Sequence, residues 1–66
     1  MRLHVDEKAD AIYIRFDEAS IVESEEVRPG VVLDFDARGR VVGLEMLRVK
    51  ESLPEADLKK VQLEVA

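Results

Sequence analysis

Residues Val27 to Arg48, VRPGVVLDFDARGRVVGLEMLR, hold two apolar runs separated by a polar turn, and no other stretch restricts the fold as strongly. Val31, Leu33 and Phe35 alternate with Val32 and Asp34, and Val42, Leu44 and Met46 alternate with Val41, Gly43 and Glu45. Period-2 alternation in β-branched and aromatic residues is the pattern of half-buried strands. Gly39, in the connecting Asp36 to Arg40, can take positive φ at little steric cost, as hairpin turns require. If both apolar sets share a face, Phe35 sits opposite Val42, Leu33 opposite Leu44 and Val31 opposite Met46. That parity predicts a loop of two or four residues, because an odd loop would turn one apolar set to the wrong side. Gly43, inside the second run, marks a bulge or a close approach of backbone.

Asp34, Asp36, Gly39 and Glu45 also fall on positions 1, 3, 6 and 12 of a calcium-loop pattern. Position 5 is Arg38, a cation where the ion needs an oxygen, and the flanks read as strands instead of helices. The stretch is therefore read as a polar hairpin turn, with no metal ligands assigned.

Sixty-six residues make one domain, 1–66, divided into a β-meander over 1–50 and a C-terminal helix and tail over 51–66. A chain this short has a marginal core, which disulfides, metals or oligomerisation commonly supplement. With no cysteine and His4 as the single histidine, oligomerisation is the remaining device. No apolar run approaches the roughly 20 residues of a membrane span, and MRLHVDEKAD lacks a secretory signal's apolar core, so a cytoplasmic protein is expected. The net charge of −5 disfavours nucleic acid as a partner. Acids concentrate at Asp17, Glu18, Glu23, Glu25 and Glu26, a patch that keeps a strand edge solvated or meets a basic protein.

Along the chain, Arg2 to Val5 reads as a first strand, and Asp6 and Asp10 as turn residues that bond nearby backbone N–H groups. Ala11 to Phe16 is a second strand with Ile12, Ile14 and Phe16 on one face. Tyr13, on the other, reads as a sheet-face residue with its hydroxyl in water. Ile21 to Val27 has no cleanly apolar face and reads as an exposed, bulged or irregular strand. Pro29-Gly30 suits the centre of a type II turn. Beyond Arg48 the alternation stops. Pro54, the acids Glu55 and Asp57, and then Lys59 and Lys60 follow the charge order of a helix, which predicts a short one over Pro54 to about Lys60. Val61, Leu63 and Val65 continue that helix or form a short last strand, the latter being preferred. The fold class is α+β: an antiparallel β-meander of about five strands with a short C-terminal helix and a candidate last strand.

Two blocks, DEKADAIYIRF (Asp6 to Phe16) and SEEVRPGVVLDFDARGRVVGLEML (Ser24 to Leu47), stand in an order and spacing that resembles a small prokaryotic family, domain-of-unknown-function family 2283. The first block matches it at Asp6, Ala9, Asp10, Ala11, Tyr13 and Ile14. Val5 stands where an aromatic is usual, and Lys8 where an acid is common. The second matches at Glu26, Val27, Pro29, Gly30, Val31, Leu33, Asp34, Asp36, Gly39, Val42, Gly43 and Glu45. The resemblance covers about residues 1 to 50 and leaves out the tail from Leu53. It implies no established activity and carries over no catalytic residues. Some relatives lie beside genes for small toxin-like proteins, which makes a neutralising partner one implied role.

Three functions follow as expectations. The first is a small non-enzymatic protein-interaction module that self-associates as a homodimer. Tyr13, Val32, Val41 and Leu47 lie opposite the main apolar set, and Leu53, Leu58, Val61, Leu63 and Val65 also need cover. The second is an acidic antitoxin-like partner of a small basic protein. The third, an enzyme, would have to draw on Asp, Glu, His4 or Tyr13, since there is no cysteine and the serines have no base nearby in sequence. No catalytic, cofactor-binding or metal-binding residue is assigned.

Overall fold

Alternation places five strands, and a computed structural model describing all 66 residues shows where they pair. They are β1 (Arg2–Asp6), β2 (Ala11–Arg15), β3 (Glu23–Arg28), β4 (Val31–Phe35) and β5 (Val41–Met46), followed by a single helical turn, α1 (Val49–Ser52). All pairings are antiparallel, and the strand order is β1-β2-β5-β4-β3. The strands β3, β4 and β5 form a meander, and the β1–β2 hairpin adds to it beside β5. The connection from β2 to β3 therefore crosses one end of the sheet and leaves β1 and β3 as the two edges. With only four residues in α1, the protein is mostly β, and the α+β label fits it loosely.

The pairing separates two faces, because residues directly opposite each other in an antiparallel pair share a side. Leu3 and Val5 stand opposite Ile14 and Ile12, which meet Leu44 and Met46, which meet Leu33 and Val31. This is the apolar face. Its far edge changes character, since Glu25 stands opposite Leu33 and Glu23 opposite Phe35. The other face carries Arg2, His4 and Asp6 on β1, Tyr13 and Arg15 on β2, Glu45 on β5, Asp34 on β4, and Ser24 and Glu26 on β3.

The central hairpin keeps Val31 opposite Met46 and Leu33 opposite Leu44, as the alternation requires. Its loop is Asp36 to Arg40, an odd length that the parity argument excluded. The register shifts between Asp34 and Phe35, so that Phe35 meets Val41 instead of Val42. One extra residue in β5 absorbs the odd loop, a bulge beside Gly43. Pro29-Gly30 forms the two-residue turn between β3 and β4, with Gly30 at φ +79°, the value a type II turn needs at that position. Such a turn twists against its strands, and β3 carries a register shift at Val27 directly before it. The third strand is thus exposed and bulged, as its mixed pattern indicates.

The C-terminal segment departs from expectation. No helix forms over Pro54 to Lys60. The only bonds of that kind are isolated turns, Ala56 N–H to Leu53 O at 2.9 Å and Lys60 N–H to Asp57 O at 3.2 Å. Residues 61–66 are neither helix nor strand. A seven-residue helix cannot repay its nucleation without packing against something, and the alternating Val61, Leu63 and Val65 pair with neither open edge of the sheet.

Candidate functional site

Two surfaces could carry function, one on each face of the sheet. On the polar face, Arg15, Gly43, Asp34 and Ser24 form one transverse row across β2, β5, β4 and β3. Gly43 has no side chain, so the row has a gap in its middle. Tyr13 fills that gap: its hydroxyl donates to Asp34 Oδ2 at 3.0 Å, and Ser24 Oγ donates to Asp34 Oδ1 at 2.6 Å. A methyl group at position 43 would lie 2.8 Å from both Tyr13 OH and Asp34 Oδ2. The sequence marked Gly43 as a bulge or a close approach of backbone; it lies beside a bulge, and what approaches it is two side chains. Tyr13, read as a residue with a wet hydroxyl, is instead bonded across a strand. Arg15 reaches the same hydroxyl at 3.4 Å, and its other nitrogens donate to the carbonyls of Asp17 and Ala19. Asp34 is 9% exposed, and both its oxygens have donors. These bonds link β2, β4 and β3 across β5, and no buried polar side-chain atom is left unpaired.

The residues of the calcium-loop pattern serve the hairpin. Asp36, 4% exposed, accepts from the backbone N–H of Arg38 and of Arg40 at 2.9 Å each, and pairs with the Arg40 guanidinium at 2.7 Å. The bond from the Arg40 backbone, with those from the Arg40 side chain and the Arg38 backbone, holds the Asp36 carboxyl below the usual aspartate range despite its burial. Its partner Arg40 is pushed upward in turn, chiefly by its hydrogen bond to Asp36. Nowhere do three or more His, Asp or Glu side chains converge as a metal centre would need.

Asp6 and Asp10 part company. Asp6 Oδ1 accepts from Ala9 N–H at 3.0 Å, a local turn bond of the expected kind. Asp10, at φ +55°, works over a distance: its carbonyl accepts from Val49 N–H at 3.0 Å, and its carboxylate from Lys50 N–H at 3.1 and 3.0 Å. The N-cap residue of α1, Arg48, makes no side-chain capping bond. Asp10 thus supplies from forty residues away the acceptor that a helix start needs. Nothing local in the sequence signals that contact. These ties reach from Asp6 to Lys50, and a family model matches the chain over residues 2–50. The chain belongs to the DUF2283 family. The family's description is "protein of unknown function", and it indicates no catalytic activity. No curated protein and no solved structure matches the chain. The DUF2283 match ends where α1 begins, so the tail beyond Lys50 lies outside it.

The second surface is the apolar face of this DUF2283 sheet. Only six of the 66 residues are buried, and among the hydrophobic residues only Val42 and Val49, at 2% exposure each, qualify as core. Ile12, Ile14, Leu33, Leu44 and Met46 are half-buried, and Leu3 and Phe16 are exposed. The tail crosses the β1 side of this face without closing it. It leaves an open groove of about 360 Å³ between Leu3, Val5, Ile12 and Leu53, Leu58, Val61, and another of about 310 Å³ between Leu3, Ile14, Phe16 and Leu63. Nine of the twelve residues around the first groove and all five around the second are hydrophobic, so neither offers the convergent polar groups a small-molecule site needs. No helix is long and apolar enough to cross a membrane.

Proposed function

We propose that this DUF2283 protein is a non-enzymatic interaction module that self-associates, with the apolar face of the sheet as the surface that drives it. The observation that carries this reading is excess surface. A folded monomer of this mass exposes about 4,250 Å², whereas the chain exposes 5233 Å². The excess of about 1,000 Å² is close to the roughly 800 Å² that each partner loses in a standard-size complex. The radius of gyration agrees: the Cα value is 12.7 Å, against about 11 Å for a compact chain of this length. Open apolar grooves beside Leu3 supply surface of the kind that marks an interface. Sedimentation velocity over a dilution series tests the reading. A sedimentation coefficient that falls on dilution supports it, and a concentration-independent species of 7.5 kDa rejects it.

A second reading has one observation behind it. The exposed acids Glu23, Glu25 and Glu26 all lie on β3, an edge strand, where a small basic protein could dock. A stoichiometric basic partner that is lost when all three are changed to Gln would favour that neutralising role over self-association.

A further inference from the structure

The two edges of the sheet are built differently, and the difference selects a partner. Open strand edges invite pairing, and proteins block it with charge and bulges. β3 has both devices: Glu23 and Glu25 stand on its apolar side, and the register breaks at Val27. β1 has neither. Its five residues pair with β2 in unbroken register, and no backbone bond from the tail or loops reaches its outer side. Arg2, Leu3 and His4 are exposed. Both open apolar grooves include Leu3, so the uncovered hydrophobic surface is concentrated at this edge.

The β1 sequence, Arg-Leu-His-Val-Asp, is also complementary to itself when reversed. Set antiparallel to a second copy and centred on His4, it places Arg2 opposite the partner's Asp6 and Leu3 opposite the partner's Val5. The charged pairs then fall on the polar face and the apolar pairs on the apolar face. Moving the centre to Val5 would set Leu3 against Glu7, and a parallel in-register pairing would set like charges together. Within the chain Arg2 already meets Glu18 at 3.1 Å, yet its side chain remains 67% exposed with donors to spare. Asp6 uses Oδ1 for Ala9 and keeps Oδ2 open.

We propose that two copies of this chain join through β1, antiparallel and centred on His4, to form one continuous ten-stranded sheet. Exposed ion pairs add little affinity, so the Arg2–Asp6 pairs set the register while the apolar surface around Leu3 drives association. This inference rests on the self-association reading and adds the partner and the surface to it.

The experiment uses Arg2→Glu and Asp6→Lys, each alone and mixed in equal amounts, with mass followed by light scattering and folding by circular dichroism. Each variant alone sets like charges against each other at both pairs, and its dimer dissociation constant rises about tenfold. Mixed, the two variants place opposite charges at both pairs, and wild-type affinity returns. A fold defect in either variant, such as loss of the Asp6 turn bond, would persist on mixing, so recovery reports pairing between chains. A dimeric wild type with both variants equally dimeric, or no recovery on mixing, overturns the β1 pairing while self-association stands. A wild type that stays at 7.5 kDa overturns both. If Asp6→Lys fails to fold, His4→Cys decides. Residues directly opposite in antiparallel strands lie within disulfide reach, and the chain has no other cysteine. Oxidation then gives a covalent dimer, while Glu25→Cys on the opposite edge forms no cross-link. Equal cross-linking at both positions overturns the proposal.

Discussion

Replacing Gly43 by Ala tests the reading of the polar row most sharply. The added methyl would lie 2.8 Å from both Tyr13 OH and Asp34 Oδ2, and 3.3 Å from Asp34 Cβ. Contacts that short force Tyr13 and Asp34 apart and break the 3.0 Å bond between them. A hydrogen bond to a charged group contributes about 1.5–3 kcal/mol, and an extra methyl in a filled site costs about 1–3 kcal/mol. Part of each loss is recovered by relaxation at the half-exposed Tyr13, so a net loss of about 3 kcal/mol is expected. A domain of this length has about 3–10 kcal/mol in all. The variant should therefore lose about 12–24 °C in Tm, read by circular dichroism on thermal or urea unfolding. Combining it with Tyr13→Phe gives a second reading. Removing the hydroxyl deletes one short contact and the bond that the methyl breaks, so the double variant should lose less than the sum of the two singles. A Gly43→Ala protein within about 0.5 kcal/mol of wild type would refute the claim that the missing side chain is what lets Tyr13 cross β5.

Gly30→Ala carries two penalties, a positive φ and a methyl 2.8 Å from Leu47 O, whose N–H in turn donates to Gly30 O. A loss of about 1–3 kcal/mol by urea unfolding is expected. Asp10→Ala removes the acceptor for Lys50 N–H and should lower stability by about 1–2 kcal/mol, with faster amide exchange at Val49 and Lys50. Asp10→Asn keeps an oxygen acceptor and should lose less. Asp36 gives a pH test. Its folded-state pKa lies below the unfolded one, so its contribution is complete above about pH 4 and is lost as pH falls through the lower folded value. Asp36→Asn should flatten this acid limb of the stability curve, and an unchanged limb would show that other carboxylates cause it.

Much of the sheet was legible because its signal is local. Alternation in Val31 to Phe35, Val41 to Met46 and Ala11 to Arg15 gave the strands and faces, and Pro29-Gly30 gave the turn. The glutamates at 23, 25 and 26 marked β3 as irregular and exposed. What could not be read is non-local. The placement of β5 beside β2 depends on the route of residues 16–22 across the sheet end, which no periodicity encodes. Parity failed at Phe35 because a bulge lets an odd loop keep the faces aligned. The helical turn formed at Val49 and not at Pro54 because Asp10 holds its start, while the favourable charge order after Pro54 had no packing surface behind it. Tyr13 and Gly43 were each noticed, but only the register shows that one covers the other.

In the proposed dimer, a second copy covers the surface this chain leaves open at β1. Small-angle X-ray scattering tests it most directly, because it reads mass and arrangement together. A single copy has a Cα radius of gyration of 12.7 Å. Pairing along β1 sets two five-strand sheets side by side, with centres about 24 Å apart at roughly 4.8 Å per strand. The proposed dimer is a particle of twice 7.5 kDa with a radius of gyration of about 17–18 Å on the same Cα basis. A particle of 7.5 kDa with a radius near the single-copy value would contradict it.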